Sequence, residues 1–309
     1  MKTENKTSST KVEYNLDTGE INTWCPGCTN HLLLNGVKKA VTEYMKESGK
    51  KQEEMAMVVG IGCHAKMFDY LNLGGIYGLH GRVLPTALGI KLGNPNLTVV
   101  GFGGDGDTYA EGMEHFVHSC RYNSDMTMIV HDNRVFALTT GQTTPTSILG
   151  QKGKTTPLGV FEIPLNPIRL ALTLGATFVA RTYAVDVEFT SKIIKEAIKH
   201  KGFSFVEVLQ PCIKFFNDIQ FLGKNVYKIE NHNTKDLKAA LEKANEWDYS
   251  ENNPSSAKAE NNQKVALGIF YQEERKTLED NWPQLKSLKD KKIGWHEMNR
   301  KVDVRKLME

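Results

Sequence analysis

The chain has 309 residues, of which 40% are hydrophobic, and a formal net charge of +3. This length can bury one large core or two smaller ones, and the small charge gives no indication of nucleic-acid binding. No apolar run is long enough to cross a bilayer, and the polar first residues do not resemble a secretory signal, so we expect a cytoplasmic protein without membrane contact. The five cysteines then point to metal binding or catalysis rather than to disulfides.

Two cysteines lie near the beginning of the chain. Residues 1–21 are polar and are predicted to form an N-terminal arm, after which Cys25 and Cys28 flank a Pro-Gly turn that leads into an amphipathic helix. The N-terminus of a helix stabilises negative charge and so favours thiolates. This segment therefore predicts a pair of ligating or reactive thiols.

A third cysteine follows a predicted buried strand, residues 55–61. Cys63 comes directly after this strand and opens a long glycine-containing loop, residues 64–84. Loops of that length in a compact domain usually carry function, and this one contains Lys66, His80 and Arg82.

The strongest motif lies between two further apolar strands, residues 97–102 and 126–130. The first strand is followed by Gly-Gly-Asp-Gly-Asp at residues 103–107, and the second ends near Asp132 and Asn133. In a parallel βαβ unit the loops after both strands lie at one sheet edge, where open α/β sheets bind ligands. We therefore expect the carboxylate and the amide to converge.

Glycines allow backbone N–H groups to approach a phosphate, while carboxylate and amide oxygens suit Mg²⁺. A calcium-binding EF-hand would need oxygen ligands where this chain has Tyr109 and Phe116, and a glycine where it has Ala110. The glycine-aspartate cluster by itself is also compatible with a plain turn. The Asp-Asn pair after the next strand favours a diphosphate and magnesium site.

The remaining pattern alternates strands and helices and predicts a doubly wound parallel α/β sheet over residues 22–218. One predicted strand, residues 203–209, is followed by Cys212. Residues 219–309 are predicted to form a small C-terminal extension, with an exposed loop at 250–263 and a strand at 265–271.

Four of the cysteines have positions that suit ligation, namely Cys25, Cys28, Cys63 and Cys212. Four thiolates bind either Zn²⁺ or a [4Fe–4S] cluster, and their spacing leaves both open. Cys120 lies on the apolar face of a predicted helix, where a thiol is a small hydrophobic group.

The order of these motifs resembles the beta subunit of 2-oxoacid:ferredoxin oxidoreductases. The matching segments are collinear over roughly residues 22–218 and comprise residues 24–28, 60–63, 79–82, 89–92, 104–106 with Asn133, 138–147, 178–181 and 209–212. The resemblance implies a thiamine diphosphate-binding fold with Mg²⁺ and a [4Fe–4S] cluster held by the four cysteines. It also implies oxidative decarboxylation of a 2-oxoacid, such as pyruvate or 2-oxoglutarate, to acyl-CoA and CO₂, with electrons passed to ferredoxin.

The resemblance further implies roles for individual residues. The magnesium ligands would be Asp105, Asn133 and the backbone carbonyl of Val135. The other cofactor-binding residues would be Gly104, Gly106, Asp107, Leu138 and Thr139. Catalytic groups would be His80, Lys66 and Arg82, and the substrate would contact Thr140 and Gln142.

In this family the carboxylate that activates the cofactor comes from a partner alpha subunit. The resemblance therefore implies that the isolated chain is inactive and works as a heterodimer or a dimer of heterodimers. The chain departs from the family at two positions: Asp132 replaces an asparagine, and Thr140 replaces a lysine of many members. Without that cation we expect pyruvate or another small 2-oxoacid to be favoured over 2-oxoglutarate.

Two other functions are compatible with parts of the pattern. One is a non-redox thiamine diphosphate-dependent decarboxylase or carboligase subunit with a structural zinc. The other is a non-catalytic electron-transfer or scaffold subunit that has lost the cofactor, although Asp105 and Asn133 speak against it.

Overall fold

The computed structural model describes residues 14–247 and 264–297. Eight strands form the main sheet in the order β2-β1-β3-β4-β8-β7-β10-β9, and β5 and β6 form a small hairpin. The strands are β1 (Met55–Val59), β2 (Gly74–Tyr77), β3 (Thr98–Gly104), β4 (Met126–Asp132), β5 (Val135–Phe136), β6 (Gln142–Thr143), β7 (Phe178–Tyr183), β8 (Phe203–Leu209), β9 (Val226–Lys228) and β10 (Val265–Gln272). The helices are α1 (Asn30–Ser48), α2 (Met67–Tyr70), α3 (Val83–Gly93), α4 (Asp105–Tyr109), α5 (Met113–Tyr122), α6 (Pro167–Thr173), α7 (Val187–Lys199), α8 (Ile219–Asn225), α9 (Leu237–Ala244), α10 (Leu278–Asn281) and α11 (Pro283–Lys291).

Helices cover both faces of the sheet, as a doubly wound fold requires. Side chains of α1 and α7 pack with one face of β1, β3 and β8 in one apolar cluster. Side chains of α3, α5, α6 and α9 pack with the opposite face in a second cluster. Strands β3, β4 and β8 are almost entirely buried, which explains their near-continuous apolar sequences. The predicted α/β class is confirmed.

The direction of the strands places the functional loops together. Strands β1, β3, β4, β8 and β7 run parallel to one another, whereas β10 is antiparallel to β7. The loops that follow β1, β3, β4 and β8 therefore meet at one edge of the sheet. Cys63, Asp105, Asn133 and Cys212 all lie in these loops.

Two predictions of local structure were wrong. The loop predicted at 64–84 contains α2 and β2, and β2 pairs with β1 as an edge strand. The helical spacing of Ala110, Met113, Phe116 and Cys120 predicts one helix from Ala110 onwards, but this helix begins only at Met113, as α5, and Ala110 is exposed in the connection between α4 and α5. The break lies at Gly112, where an added Cβ would be 2.6 Å from the carbonyl oxygen of Gly81. The chain segments approach each other too closely there for a larger residue.

The C-terminal residues extend the same sheet. The predicted strand at 265–271 is confirmed as β10, which hydrogen bonds to β7. The division into residues 22–218 and 219–309 stays a prediction. The loop predicted at 250–263 and most of the arm at 1–21 lie outside the described residues. Within the described part of the chain, no helix is both long and apolar enough to cross a membrane.

Candidate active site

A cleft opens at the carboxyl ends of β3 and β4 and contains about 420 Å³ of empty space. Backbone and side chains of the glycine-aspartate motif form one wall, and the segment after β4 forms the other. Ten predicted site residues line the cleft: Cys63, His80, Gly104, Asp105, Gly106, Asp107, Asn133, Val135, Leu138 and Thr139. The two loops converge, as expected for a parallel βαβ unit.

Two glycines of the motif lie in crowded surroundings. A Cβ at Gly104 would be 2.8 Å from Nδ1 of His64, and one at Gly106 would be 2.2 Å from the ring of Phe136. A side chain at either position would displace these rings into the cleft. The absence of side chains keeps the backbone at the start of α4 accessible, which suits close approach of a phosphate.

Asp105 is buried and is held by two threonines that the sequence motifs did not identify. Its Oδ2 accepts hydrogen bonds from Oγ1 of Thr144 at 2.5 Å and of Thr146 at 2.9 Å. Burial raises the pKa of Asp105, and these hydrogen bonds oppose the rise. Oγ1 of Thr146 also lies 2.8 Å from Oδ1 of Asp132, so its single proton is shared between the two carboxyl groups.

Asp132 lies close enough to Asp105 for their charges to interact. Burial raises the pKa of Asp132 well above its usual range, and the negative charge of Asp105 raises it further. Two buried carboxylates in one environment are a donor set that a divalent cation stabilises. The residues present therefore suit the Mg²⁺ that the motif predicts.

Asp107 supports the surrounding loops. Its Oδ1 accepts backbone hydrogen bonds from Ile61 at 3.2 Å and Gly81 at 2.8 Å. Its carboxylate also lies 3.4 Å from Nε2 of His64 and 3.7 Å from Nδ1 of His80. Burial opposes ionisation, but the nearby His64 and the backbone N–H groups of Gly81 and Ile61 together outweigh it, so the pKa of Asp107 is lowered. Asp107 therefore holds two histidines and the loop after β1 against the cleft.

Apart from three of the cysteines, four predicted residues are not among those that line the cleft in the described part of the chain. Lys66 donates to the hydroxyl of Thr23, and Arg82 donates to the carbonyl of Glu111 at 2.8 Å. The other two, Thr140 and Gln142, lie in or beside the β5–β6 hairpin, beyond Thr139. The roles predicted for these four residues stay predictions.

The four predicted cysteine ligands approach the same region from three parts of the chain. Burial, together with the charges of Cys28, Cys212 and Cys25, raises the pKa of Cys63 to about 12. Burial likewise raises the pKa of Cys28, and Cys212 and Cys25 add to this shift. All five cysteines are free, and Cys120 is buried in the apolar cluster with α5.

These mutual interactions mean that the four thiols are close enough to sense one another's charge. Within residues 14–247 and 264–297, however, no three His, Cys, Asp or Glu side chains are already arranged to hold a metal ion. Four neighbouring thiols are a suitable donor set for a [4Fe–4S] cluster or Zn²⁺ once a cation allows them to ionise. The cluster assignment stays a prediction.

Comparison with known proteins defines the class and the family. Residues 60–208 match the family "thiamine pyrophosphate enzyme, C-terminal TPP binding domain", so the fold is that of a thiamine diphosphate-binding domain. Residues 214–287 match the family of C-terminal regions of the pyruvate ferredoxin oxidoreductase beta subunit. The chain is 42% identical over 260 residues to the 2-oxoacid:ferredoxin oxidoreductase subunit beta of Saccharolobus solfataricus, covering 82% of this chain and 83% of that protein. It belongs to the 2-oxoacid:ferredoxin oxidoreductase beta-subunit family, which confirms the resemblance.

Two further relatives have names that specify a substrate. The 2-oxoglutarate synthase subunit KorB of Archaeoglobus fulgidus is 42% identical over 189 residues, which covers 61% of this chain and 69% of that protein. A solved 2-oxoglutarate:ferredoxin oxidoreductase from Magnetococcus marinus, with 2-oxoglutarate, coenzyme A and succinyl-CoA bound, is 33% identical. That alignment has a TM-score of 0.80 and covers 95% of this chain and 93% of the other.

Proposed function

We propose that this chain is the thiamine diphosphate- and cluster-binding subunit of an enzyme that oxidatively decarboxylates a 2-oxoacid to acyl-CoA and CO₂. The observation that carries the proposal is the convergence of Asp105, Asn133 and the glycines in one cleft, with four neighbouring free cysteines at the same sheet edge. Membership of the family supports the same conclusion.

Thiamine diphosphate, when bound, supplies an electron sink for loss of CO₂ from the substrate. The chain's own residues hold and orient it. Asp105 and Asn133 bind Mg²⁺, while backbone N–H groups near Gly104 and Gly106 bind the diphosphate. His80, kept in place beside Asp107 and Phe136, contacts the substrate end of the cleft. These groups provide positioning and electrostatic stabilisation.

The electron path requires a redox centre near the cleft. Cys63 lines the cleft together with His64, and it also senses the charge of the other three thiols. A [4Fe–4S] cluster held by Cys25, Cys28, Cys63 and Cys212 would therefore lie next to the thiamine site. This is the arrangement that one-electron removal toward ferredoxin needs. We propose these ligands and ferredoxin as the acceptor.

The site in this proposal is shared with a partner subunit. Apolar side chains near the cleft are strongly exposed: Leu158 by 95%, Phe161 by 81% and Ile163 by 79%. Ile163 and Phe136 border a second hollow adjoining the cleft. Exposed apolar groups of this kind mark an interface. We propose that they are covered by an alpha subunit, which brings the carboxylate that activates the cofactor, and that the assembled enzyme works in the cytoplasm.

The first experiment is to purify the tagged full chain anaerobically with any subunit that accompanies it. Iron, acid-labile sulfide and zinc are measured, and ferredoxin reduction is followed with pyruvate or 2-oxoglutarate and coenzyme A. About four iron and four sulfide per chain are expected, with acceptor reduction that requires thiamine diphosphate and the partner subunit. One zinc and no iron would support the non-redox alternative instead. Turnover by the pure single chain would contradict the partner requirement.

Substrate preference is a separate question. Thr140 replaces the lysine that many family members have, but Nζ of Lys154 donates to its hydroxyl at 3.1 Å. We still expect pyruvate or another small 2-oxoacid to be preferred, because Lys154 is exposed and its charge is screened by water. Any turnover of 2-oxoglutarate should fall in Lys154→Ala, while pyruvate turnover stays unchanged. A strong 2-oxoglutarate preference in the wild-type complex would show this expectation to be wrong.

A further inference from the structure

Gln210 lies between the two predicted centres, directly after β8. Its side chain is 1% exposed, and its backbone N–H donates to the carbonyl of Asp132 at 2.8 Å. Its side-chain amide lies between Asn133 and Cys28. Oε1 accepts a hydrogen bond from Nδ2 of Asn133 at 3.2 Å, and Nε2 lies 3.8 Å from Sγ of Cys28. One buried amide thus contacts a predicted magnesium ligand and a predicted cluster ligand.

The hydrogen-bond network fixes which way this amide points. Oγ1 of Thr29 donates to the carbonyl of Pro211 at 3.1 Å, so its oxygen is available to accept from Nε2 of Gln210 at 2.7 Å. Nε2 is also 3.1 Å from the same carbonyl, which can only accept. The nitrogen of Gln210 must therefore face Thr29 and Pro211, and its oxygen must face Asn133.

This orientation determines the orientation of Asn133. Because Oε1 of Gln210 is an acceptor, Asn133 must present its nitrogen to it. Oδ1 of Asn133 then lies on the other side of its amide group, where it accepts from the backbone N–H of Val135 at 3.2 Å and keeps a second lone pair. Oxygen is the atom that Mg²⁺ binds, whereas a flipped amide would offer an N–H group.

The nitrogen of Gln210 faces the predicted cluster site, where it lies near the sulfur of Cys28. A hydrogen bond to a ligating sulfur stabilises the more negative, reduced form of an iron–sulfur cluster and raises its potential. Nε2 of Gln210 has two hydrogens and three acceptors within reach, so the hydrogen bond toward Sγ of Cys28 is shared with those to Thr29 and Pro211.

We propose that Gln210 is a positioning residue for both centres: its oxygen orients Asn133 toward Mg²⁺, and its amide nitrogen directs a shared N–H group toward the Cys28 sulfur. This inference rests on the proposed function, because it takes Asn133 and Cys28 as ligands. A single side chain thereby keeps the cofactor site and the cluster site in a fixed mutual arrangement.

Two variants separate the two contacts. Gln210→Leu removes both, and Gln210→Glu keeps an oxygen toward Asn133 but removes both N–H donors. Ser204→Ala is the matched control, since it removes a buried hydrogen bond, to the carbonyl of Ala197, from the same strand β8. The complexes are isolated anaerobically with the full chain. Mg²⁺-dependent thiamine diphosphate affinity is measured by calorimetry, and the cluster potential by redox titration with electron paramagnetic resonance.

In Gln210→Leu we expect the affinity to fall about tenfold or more, as for other residues that orient metal ligands, and the cluster potential to become more negative. In Gln210→Glu the affinity should remain near the wild-type value while the potential still becomes more negative. Equal loss of affinity in both variants, or a Gln210→Leu variant that behaves like Ser204→Ala in both measurements, would overturn the proposal.

A wild-type complex without iron or without thiamine diphosphate binding would instead contradict the proposed function. If Gln210→Leu fails to load iron, Thr29→Val provides the second test, because it removes the hydroxyl that holds Nε2 of Gln210. We expect Thr29→Val to reduce the affinity and to shift the potential. Unchanged values for both would also overturn the proposal.

Discussion

The diphosphate cleft and the cysteine site share one sheet edge but are built differently. Most of the cleft comes from one βαβ unit, β3 to β4, and its main polar groups are buried and hydrogen bonded. The cysteine site combines the turn before α1, the loop after β1 and the loop after β8. Its exposure also varies, because Cys25 is exposed while Cys212 is buried.

This difference shows how each site depends on the fold. The cleft is preorganised by local connections and by direct hydrogen bonds to Asp105. The cysteine site requires three separate segments to come together, and burial raises the pKa of Cys28 and Cys63, so these two thiols resist ionisation until a cation binds. We therefore expect replacement of Asp105 to act mainly on cofactor binding and replacement of Cys212 mainly on iron loading, while Gln210 contacts both sites. The following predictions test this separation, from the largest expected effect to the smallest.

Replacement of Asp105 by Ala should have the largest effect. It removes the predicted carboxylate ligand of Mg²⁺, and we expect thiamine diphosphate affinity and turnover to fall by more than about 100-fold, beyond the loss typical of a supporting residue. Calorimetry and ferredoxin reduction measure these effects. Iron content should stay at the wild-type value, and a loss of iron would contradict the independence of the two sites.

Cys212→Ala should give the opposite pattern. Iron and acid-labile sulfide should be lost, together with ferredoxin reduction, while thiamine diphosphate affinity is retained. The matched control is Cys120→Ala, because Cys120 packs among apolar side chains on α5 and should leave the iron content unchanged. An intact cluster in Cys212→Ala would exclude Cys212 as a ligand.

A smaller effect is expected for Thr146→Val, which removes the hydroxyl that lies between Asp105 and Asp132 and shares its proton with them. Affinity for Mg²⁺ with thiamine diphosphate should fall about tenfold, because the variant leaves two neighbouring buried carboxylates less well supported. Thr144→Val removes the bond to Asp105 but not the bond to Asp132, so its effect should be smaller. Equal affinities in wild type and Thr146→Val would show that Thr146 does not support the site.

The smallest effect should come from Asp280→Asn, in helix α10 of the C-terminal part. Burial opposes ionisation of Asp280, but hydrogen bonds from Lys201 and Lys289 outweigh it and lower its pKa. Its contribution to stability is therefore present at neutral pH and is lost only as the pH falls below the usual range of an aspartate.

The variant should lose about 1 kcal/mol or less of unfolding free energy at pH 7. The difference from wild type should shrink as the pH falls below about 4. Chemical denaturation measures both values. Cofactor affinity and iron content should remain unchanged, and a change in either would mean that this region is coupled to the sites.

Not every functional contact was predictable. His64, Thr144 and Thr146 were not assigned a role, although a histidine directly after Cys63 and a run of threonines after the hairpin were visible signals. Asp107 was expected to bind the cofactor, and it lines the cleft but hydrogen bonds to Ile61 and Gly81. Hydrogen-bond partners of this kind depend on the positions of distant loops, which no local pattern encodes.

By itself, the sequence determined the alternation of strands and helices, the glycine-aspartate motif and the edge at which Asp105 and Asn133 meet. These features follow from periodicity and from the right-handed crossover of neighbouring strands. Only the tertiary structure decided that β8 lies beside β4, which brings Gln210 against Asn133 and Cys212 near Cys28. The physical reason is that strand order arises from packing of the whole core, so contacts between distant segments exist only once the sheet has formed.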